Sequence, residues 1–344
     1  MIEVDGSFGE GGGQILRTAL SLSCLFQKPF RIFNIRKNRK KPGLMPQHLT
    51  GVRAAQLISR AEVQGDLAGS MELFFSPGEV KGGSFFFDIG TAGSTMLVLQ
   101  TLVPAIIFSG GKTTLTLVGG THVPFSPSFH YVREVFLPCL KKTGVEITLS
   151  VESYGFYPKG GGRIRAELFP VKEVMPLRIM DRGKMLRVKG ISGVGNLPLS
   201  IAERQRSAAL ERLRSHGIDY TQQMDIELME VPSPGQGTFI FLKAESEHSI
   251  AGFTALGERD KRAEAVGEEV AMELIQYLGT DTAFDPHLAD QIVLYLCLSK
   301  KQSLLTTSRI TSHLLTNLCV IGLFHEFQYS IEGEIGEPGI VRIN

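Results

Sequence analysis

In "RITSHLLTNLCVIG", residues 309 to 322, His313 stands in the first turn of an expected helix whose cap candidates are Thr311 and Ser312. The same helix turns apolar through Leu314, Leu315, Leu318 and Ile321. An imidazole there is either a half-buried packing group or, with open access, a nucleophile that is neutral near pH 7. Other residues of the right type gather elsewhere. "GEGGGQILR" joins a glycine turn to a helix start, so its free N–H groups can approach an anion. It lacks the GK[ST] of a Walker loop, and a glycine cluster before a helix serves structure as readily as binding. Glu10 is a candidate divalent-metal ligand, and Arg17, one turn beyond Gln14 on an otherwise apolar helix, is either a phosphate ligand or a snorkelling side chain.

In "NIRKNRKKPG", Arg36, Lys37, Arg39, Lys40 and Lys41 crowd together just before a helix entered through Pro46, Gln47 and His48. This is a solvated loop or a phosphate clamp. "DPHLADQ" places Asp285 where it would cap a helix, with His287, Asp290 and Gln291 within the next turn and a half.

The elements that must position these groups repeat. Three segments follow one plan: a Gly- or Asp-led turn, an apolar helix, a strand, a second helix often begun by His, and a further strand or two. The first runs from "GEGGGQILRTALSLSCLF" to "MELFFSP" and "SFFFDI"; the second from "GTAGSTMLVLQTLVPAIIFSG" to "GRIRAELFP"; the third from "DPHLADQIVLYLCLS" to "GIVRIN". The corresponding histidines are His48, His130 and His313, and the second interval exceeds the first by roughly 100 residues. That excess carries its own strand and helix pattern. The expected division is residues 1–182 for repeats one and two, 183–279 for an inserted small α/β domain, and 280–344 for the third repeat. Helices alternating with strands in three similar units predict sheets covered on one side by helices around a pseudo-threefold axis, with equivalent loops converging on one cleft.

Composition narrows the class. At 344 residues and 43% apolar content the chain can bury one large core or two ordinary ones. No stretch approaches the roughly 20 apolar residues of a membrane span, and the N-terminus has no basic-then-apolar leader, so the cytoplasm is the expected compartment. Cys24, Cys139, Cys297 and Cys319 are scattered, which predicts reduced thiols rather than disulfides or a zinc site. A net charge of +1 argues against coating nucleic acid by bulk charge. Arg204, Arg206, Arg212 and Arg214 on an expected helix of the insertion read as a solvated face before they read as an RNA contact.

Taken in order, "GEGGGQILRTALSLS", "IRKNRKKPGLMPQHL", "GTAGSTMLVLQ", "GFYPKGGG", "HLADQ" and "SHLLTN" resemble the ATP-dependent RNA 3'-terminal phosphate cyclase family over nearly the full length. The resemblance implies three βαβαββ-type repeats with a smaller α/β domain inserted before the third. It implies ATP and a Mg2+ or Mn2+ ion, an RNA 3'-phosphate as the acceptor, and a covalent His313–AMP intermediate leading to a 2',3'-cyclic phosphate. Carried over, Glu10 matches a metal and triphosphate position, and Arg17, Arg36, Arg39 and Gln47 match positions that gather phosphates. Gln100, Pro127, Asp290 and Gln291 match the adenylate pocket. His287 departs from the Tyr common in the family, and its smaller ring offers less stacking area. Two relatives of the fold offer other readings: a ribosome-assembly protein that binds without the histidine, and an enolpyruvyl transferase that needs no ATP. The presence of His313, Glu10, Arg17 and Arg39 argues against the first, and the "SHLLTN" match against the second. A homodimer is one assembly the sequence leaves open.

Overall fold

The computed structural model describes residues 1–218 and 224–344. In the first unit β1 (Ile2–Asp5) crosses through α1 (Gly13–Phe26) to the parallel strand β2 (Phe30–Phe33), and after α2 (Pro46–Ser59) the chain returns as β3 (Glu62–Gln64) and β4 (Leu73–Ser76). The sheet order is β1-β2-β4-β3, with the last two strands antiparallel to their neighbours. The second unit repeats the plan: β5 (Ser84–Asp88), α3 (Thr95–Ile106) and β6 (Thr113–Gly119) come first. A helix follows as α4 (Phe129–Tyr131), a π turn over Val132–Phe136 and α5 (Leu137–Lys141), and then β7 (Ile147–Ser153) and β8 (Gly162–Leu168), in the order β5-β6-β8-β7.

The third unit opens with the short β9 (Arg178–Ile179) and is interrupted at once. The insertion consists of β10 (Met185–Gly195), α6 (Leu199–Ser215), β11 (Met224–Glu230), β12 (Gly237–Ser246), β13 (Ile250–Leu256) and α7 (Ala263–Leu278). It forms its own sheet in the order β11-β10-β12-β13. The chain then resumes with α8 (Pro286–Leu296), β14 (Ser303–Thr307), α9 (Ser312–Phe324), β15 (Tyr329–Glu332) and β16 (Gly339–Ile343), closing β15-β16-β14-β9.

The three repeated sheets therefore share one order and one pattern of parallel and antiparallel pairs, as the expected βαβαββ plan requires. Its phase differs from the sequence reading. "SFFFDI", expected to close the first unit, pairs parallel with β6 and opens the second. Likewise β9 pairs parallel with β14, so the insertion falls after the third unit's first strand rather than before the unit. Two hydrogen-bonding residues are too short a strand to carry a periodic signal. β13 was not anticipated, because "IAGFTAL" has small residues where a strand usually shows β-branched ones.

One face of each repeated sheet is covered by helices. β6 alternates strictly between buried and half-buried residues, the signature of a sheet with one covered face. α1 buries Ile15, Leu16, Ala19, Leu20 and Leu22 and packs against α3 and α9, which ties all three units together. Phe30 meets Phe75 and Phe324 at ring distances of 5.9 and 5.8 Å, joining units one and three. The insertion has a separate core of Val188, Leu213, Ile226, Ile240, Leu242, Phe253, Val266, Val270 and Leu274. Among the described residues no helix is long and apolar enough to cross a membrane, and the four cysteines are free.

Candidate active site

The site lies where α1, α3, α8 and α9 converge with the insertion. At one end, Gly9 and Gly11 both take φ of +56°, the left-handed region that suits glycine, and carry the chain across the start of α9 toward α1. Between them Glu10 directs its carboxylate to His313: Oε2 is 3.2 Å from His313 Nδ1 and 3.9 Å from Arg39 Nη2. The Arg39 guanidinium also donates to the Glu10 carbonyl at 3.0 Å. His313 Nδ1 is enclosed without an aligned hydrogen-bond partner, although the Glu10 carboxylate is beside it. Desolvation, with Arg17, His287 and Arg39, holds the His313 imidazole below its ordinary value, and only Glu10 opposes this. The ring is neutral at pH 7. α9 is capped by Thr311, whose hydroxyl accepts from the Leu314 amide at 3.0 Å, as the sequence suggested.

Gln14 and Arg17 project from α1 into the same region. Gln14 Nε2 donates to the His313 carbonyl at 3.1 Å, while its Oε1 is buried without a partner. Arg17 has no carboxylate within ion-pair distance among the described residues, and burial alone lowers its pKa to about 10. It remains a cation awaiting an anion. Behind it, burial together with Arg17 and Arg36 lowers His48 to about 3, so that ring is neutral and accepts the Met45 amide through Nδ1 at 3.1 Å.

The other end is a cleft of about 650 Å3, a volume suited to a nucleotide. Arg17, Gln100, Pro127, His287, Asp290, Gln291 and His313 all line it. Gln100 Nε2 donates to Gln291 Oε1 at 2.5 Å, and Gln291 Nε2 to the His287 carbonyl at 3.0 Å. Asp290 is buried, accepts from Thr311 Oγ1 at 2.5 Å, and has its backbone carbonyl held by Asn317 Nδ2 at 2.8 Å. Desolvation, reinforced by Asp285 and Glu10, raises Asp290 to about 8, so it is largely protonated at neutral pH. Asp285 caps α8 as expected, accepting from the His287 and Leu288 amides at 2.9 Å, and also takes a hydrogen bond from Tyr131 at 2.8 Å.

Four predicted residues do not line the cleft: Glu10 stands beside His313 and Arg39 beside Glu10, while Gln47 and Arg36 are engaged elsewhere. Gln47 Oε1 accepts the Ser94 amide at 2.8 Å and fixes the start of α3. Arg36, at φ +52°, donates to the Lys41 and Gly43 carbonyls at 2.8 and 3.0 Å and holds the basic loop closed. Sequence reasoning gave no role to Gln14 or Asn317, and none to Gly252, Thr254, Glu269 and Glu273, through which the insertion walls the cleft. Gln14 carried a signal in its spacing of one turn from Arg17; the insertion carried none, because its contribution depends on how two domains meet.

Three equivalent α/β units and a nucleotide-sized cleft lined by a histidine, an arginine and a buried carboxyl define a repeat-built α/β protein with an enzyme-like cleft. Residues 8–331 match the family model described as RNA 3'-terminal phosphate cyclase. The chain is 47% identical to the RNA 3'-terminal phosphate cyclase of Sulfolobus acidocaldarius over the whole of both chains. It is 44% identical to that of Ignicoccus hospitalis, covering 100% of this chain and 98% of the relative. To that of Archaeoglobus fulgidus it is 45% identical, covering 94% and 95%. The chain belongs to the RNA 3'-terminal phosphate cyclase family, and it is an enzyme.

Proposed function

We propose that the protein uses ATP to convert an RNA 3'-terminal phosphate into a 2',3'-cyclic phosphate, with His313 as the nucleophile. The observation that carries this reading is the neutral His313 ring at the wall of the nucleotide-sized cleft, with Nδ1 beside Glu10 and the other nitrogen left for the cleft. Nε2 attacks the α-phosphorus of ATP; a P–N bond forms, the bond to the bridging oxygen breaks and pyrophosphate leaves. An oxygen of the RNA 3'-phosphate then attacks the same phosphorus, breaking P–N and restoring the imidazole. The neighbouring 2'-hydroxyl attacks the activated 3'-phosphorus, losing its proton to solvent as AMP departs.

The chain's residues divide this work. Arg17, unpaired and desolvated, meets the negative charge that develops on phosphate oxygens, where low dielectric makes its charge count most. Arg39 is held over the Glu10 loop and faces the same phosphates. Gln14 fixes the His313 backbone. Pro127 and His287 offer faces to the adenine ring, and Gln100 and Gln291 offer amides to the ribose. Arg36 and Gln47 support the RNA phosphate positions by shaping the basic loop and the α3 start.

No group of three or more His, Cys, Asp or Glu gathers among the described residues, so the chain supplies no closed metal cage. A single carboxylate suits Mg2+ or Mn2+, which take their remaining oxygens from phosphates and water, and Glu10 would hold the ion. Once bound, the ion neutralises charge on the triphosphate. This reading places the protein in the cytoplasm.

The test is covalent labelling. Incubation with magnesium and ATP labelled in its α-phosphate gives a protein adduct that is acid-labile and alkali-stable, as a histidine phosphoramidate is. Well-folded protein that takes no label would move the reading to a binding protein of the same fold.

A further inference from the structure

The cleft has a wall that the reaction above leaves without a task. From the insertion, α7 turns Glu269 and Glu273 toward it. Glu269 is paired with Lys261. Glu273 is half-buried and, among the described residues, has neither an ion pair nor a side-chain hydrogen bond. It borders two adjoining cavities: the main cleft and a polar pocket of about 320 Å3 formed with Tyr277, Pro286, Ser308 and Arg309. His287 is shared by both cavities, whereas His313 and Arg17 line only the first. Glu273 therefore stands, with His287, on the side of the cleft that adjoins the polar pocket.

We propose that Glu273 reads the hydrogen-bonding edge of the nucleobase, accepting adenine when its carboxyl is protonated and guanine when it is ionised. This rests on the nucleotide-binding reading above. Adenine presents an acceptor at N1 beside a donor at its exocyclic amine. A carboxylic acid matches that pair, its O–H donating to N1 and its carbonyl accepting from the amine. Guanine presents two donors, N1–H and the 2-amino group, and a carboxylate accepts both. One side chain thus discriminates two bases through one proton.

The surroundings of Glu273 hold it near that balance. Desolvation comes first and Glu269, on the same helix, second; together with Asp285 at the cap of α8 they raise the carboxyl to about 7, against Arg309 before α9 and Lys261 before α7. His287 on α8 and Tyr277 on α7 are the other titratable groups that line the polar pocket with Glu273 and Arg309 among the described residues. Below pH 7 the acid form that suits adenine prevails.

Affinity for α,β-methylene ATP and α,β-methylene GTP, neither of which can give up its nucleotidyl group, tests this by calorimetry at pH 6 and pH 8. The ratio of the two affinities cancels the protonation of the triphosphate and of groups that meet both ligands alike. For the unaltered protein the ATP preference should fall by about fivefold or more from pH 6 to pH 8, on the order of 1 kcal/mol. Glu273→Gln presents a permanent donor and acceptor, so its preference for adenine should not change with pH. Glu273→Ala, shown folded by circular dichroism, should lose the preference at both pH values. A ratio in the unaltered protein that ignores pH, or a pH response that survives in Glu273→Gln, would overturn the proposal while leaving nucleotide binding intact. Failure of either analogue to bind would overturn the underlying reading as well.

Discussion

His313 Nδ1 lies 3.2 Å from Glu10 Oε2, across the junction of the first and third units, without the alignment of a hydrogen bond. The two side chains come from opposite ends of the chain and meet because α1 packs on α9. The contact does two things. It turns one ring nitrogen toward a carboxylate, leaving the other for substrate, and it is the one influence that favours the charged ring while desolvation and nearby cations disfavour it.

The first prediction follows from that balance. His313→Ala should remove covalent labelling entirely while leaving the far-ultraviolet circular dichroism unchanged, because alanine is well tolerated in a helix's first turn. In the unaltered protein the imidazole sits below 6.5. At saturating ATP the labelling rate should therefore be level from pH 7 upward and fall only on acidification below 6.5. A half-maximal rate at or above pH 7 would contradict a neutral nucleophile.

Arg17 separates activity from stability. A desolvated guanidinium with no carboxylate among the described residues is a cost to the folded state that only a bound anion offsets. Arg17→Met keeps an unbranched apolar stem and removes the charge. It should raise resistance to urea by about 1 kcal/mol while lowering the labelling rate by roughly 100-fold or more. A variant both less active and less stable would make Arg17 a structural residue.

Asp290 makes a pH prediction of definite sign. Its folded value of about 8 lies above the ordinary 3.8, so the folded protein keeps a proton that the unfolded chain releases. Stability from this group is full below about pH 4 and drains away as the pH rises to 8. Asp290→Asn keeps an oxygen to accept the Thr311 hydroxyl but cannot ionise. The melting temperature of the variant, minus that of the unaltered protein, should grow steadily between pH 5 and pH 8; a constant difference would refute the buried carboxyl as its source.

His48, His130 and His313 show what the sequence could and could not disclose. Repeat spacing placed all three at the start of the second helix of their units, where the structure has them. Spacing could not say which one meets substrate. His130 is buried, with Nδ1 3.0 Å from His122 Nε2, and His48 is a neutral support behind Arg17, so only His313 opens on the cleft. Arg36 and Gln47 make the same point: motif position brought them near the site, but hydrogen bonds to backbone, nearby for Arg36 and at the start of α3 for Gln47, decide what their side chains do. The phase of the repeats is not legible in the sequence because strand pairing is non-local. "SFFFDI" reads as a strand in either unit, and only its register with β6 assigns it.

Two glycines supply the last test, because the same substitution should act in opposite directions. Gly→Ala inside a helix ordinarily stabilises by roughly 0.5–1 kcal/mol through propensity. At Gly51, within α2, an added methyl group meets nothing within 4 Å, so Gly51→Ala should show that gain. At Gly13, the first residue of α1, the methyl group would run into the His48 imidazole and come within 3.1 Å of Arg17 Nη1. Gly13→Ala should therefore lose about 1–3 kcal/mol in urea unfolding and, by displacing Arg17, lower the labelling rate as well. If Gly13→Ala were as stabilising as Gly51→Ala, the close approach of α1 to α2 that seats Arg17 on His48 would not exist in solution.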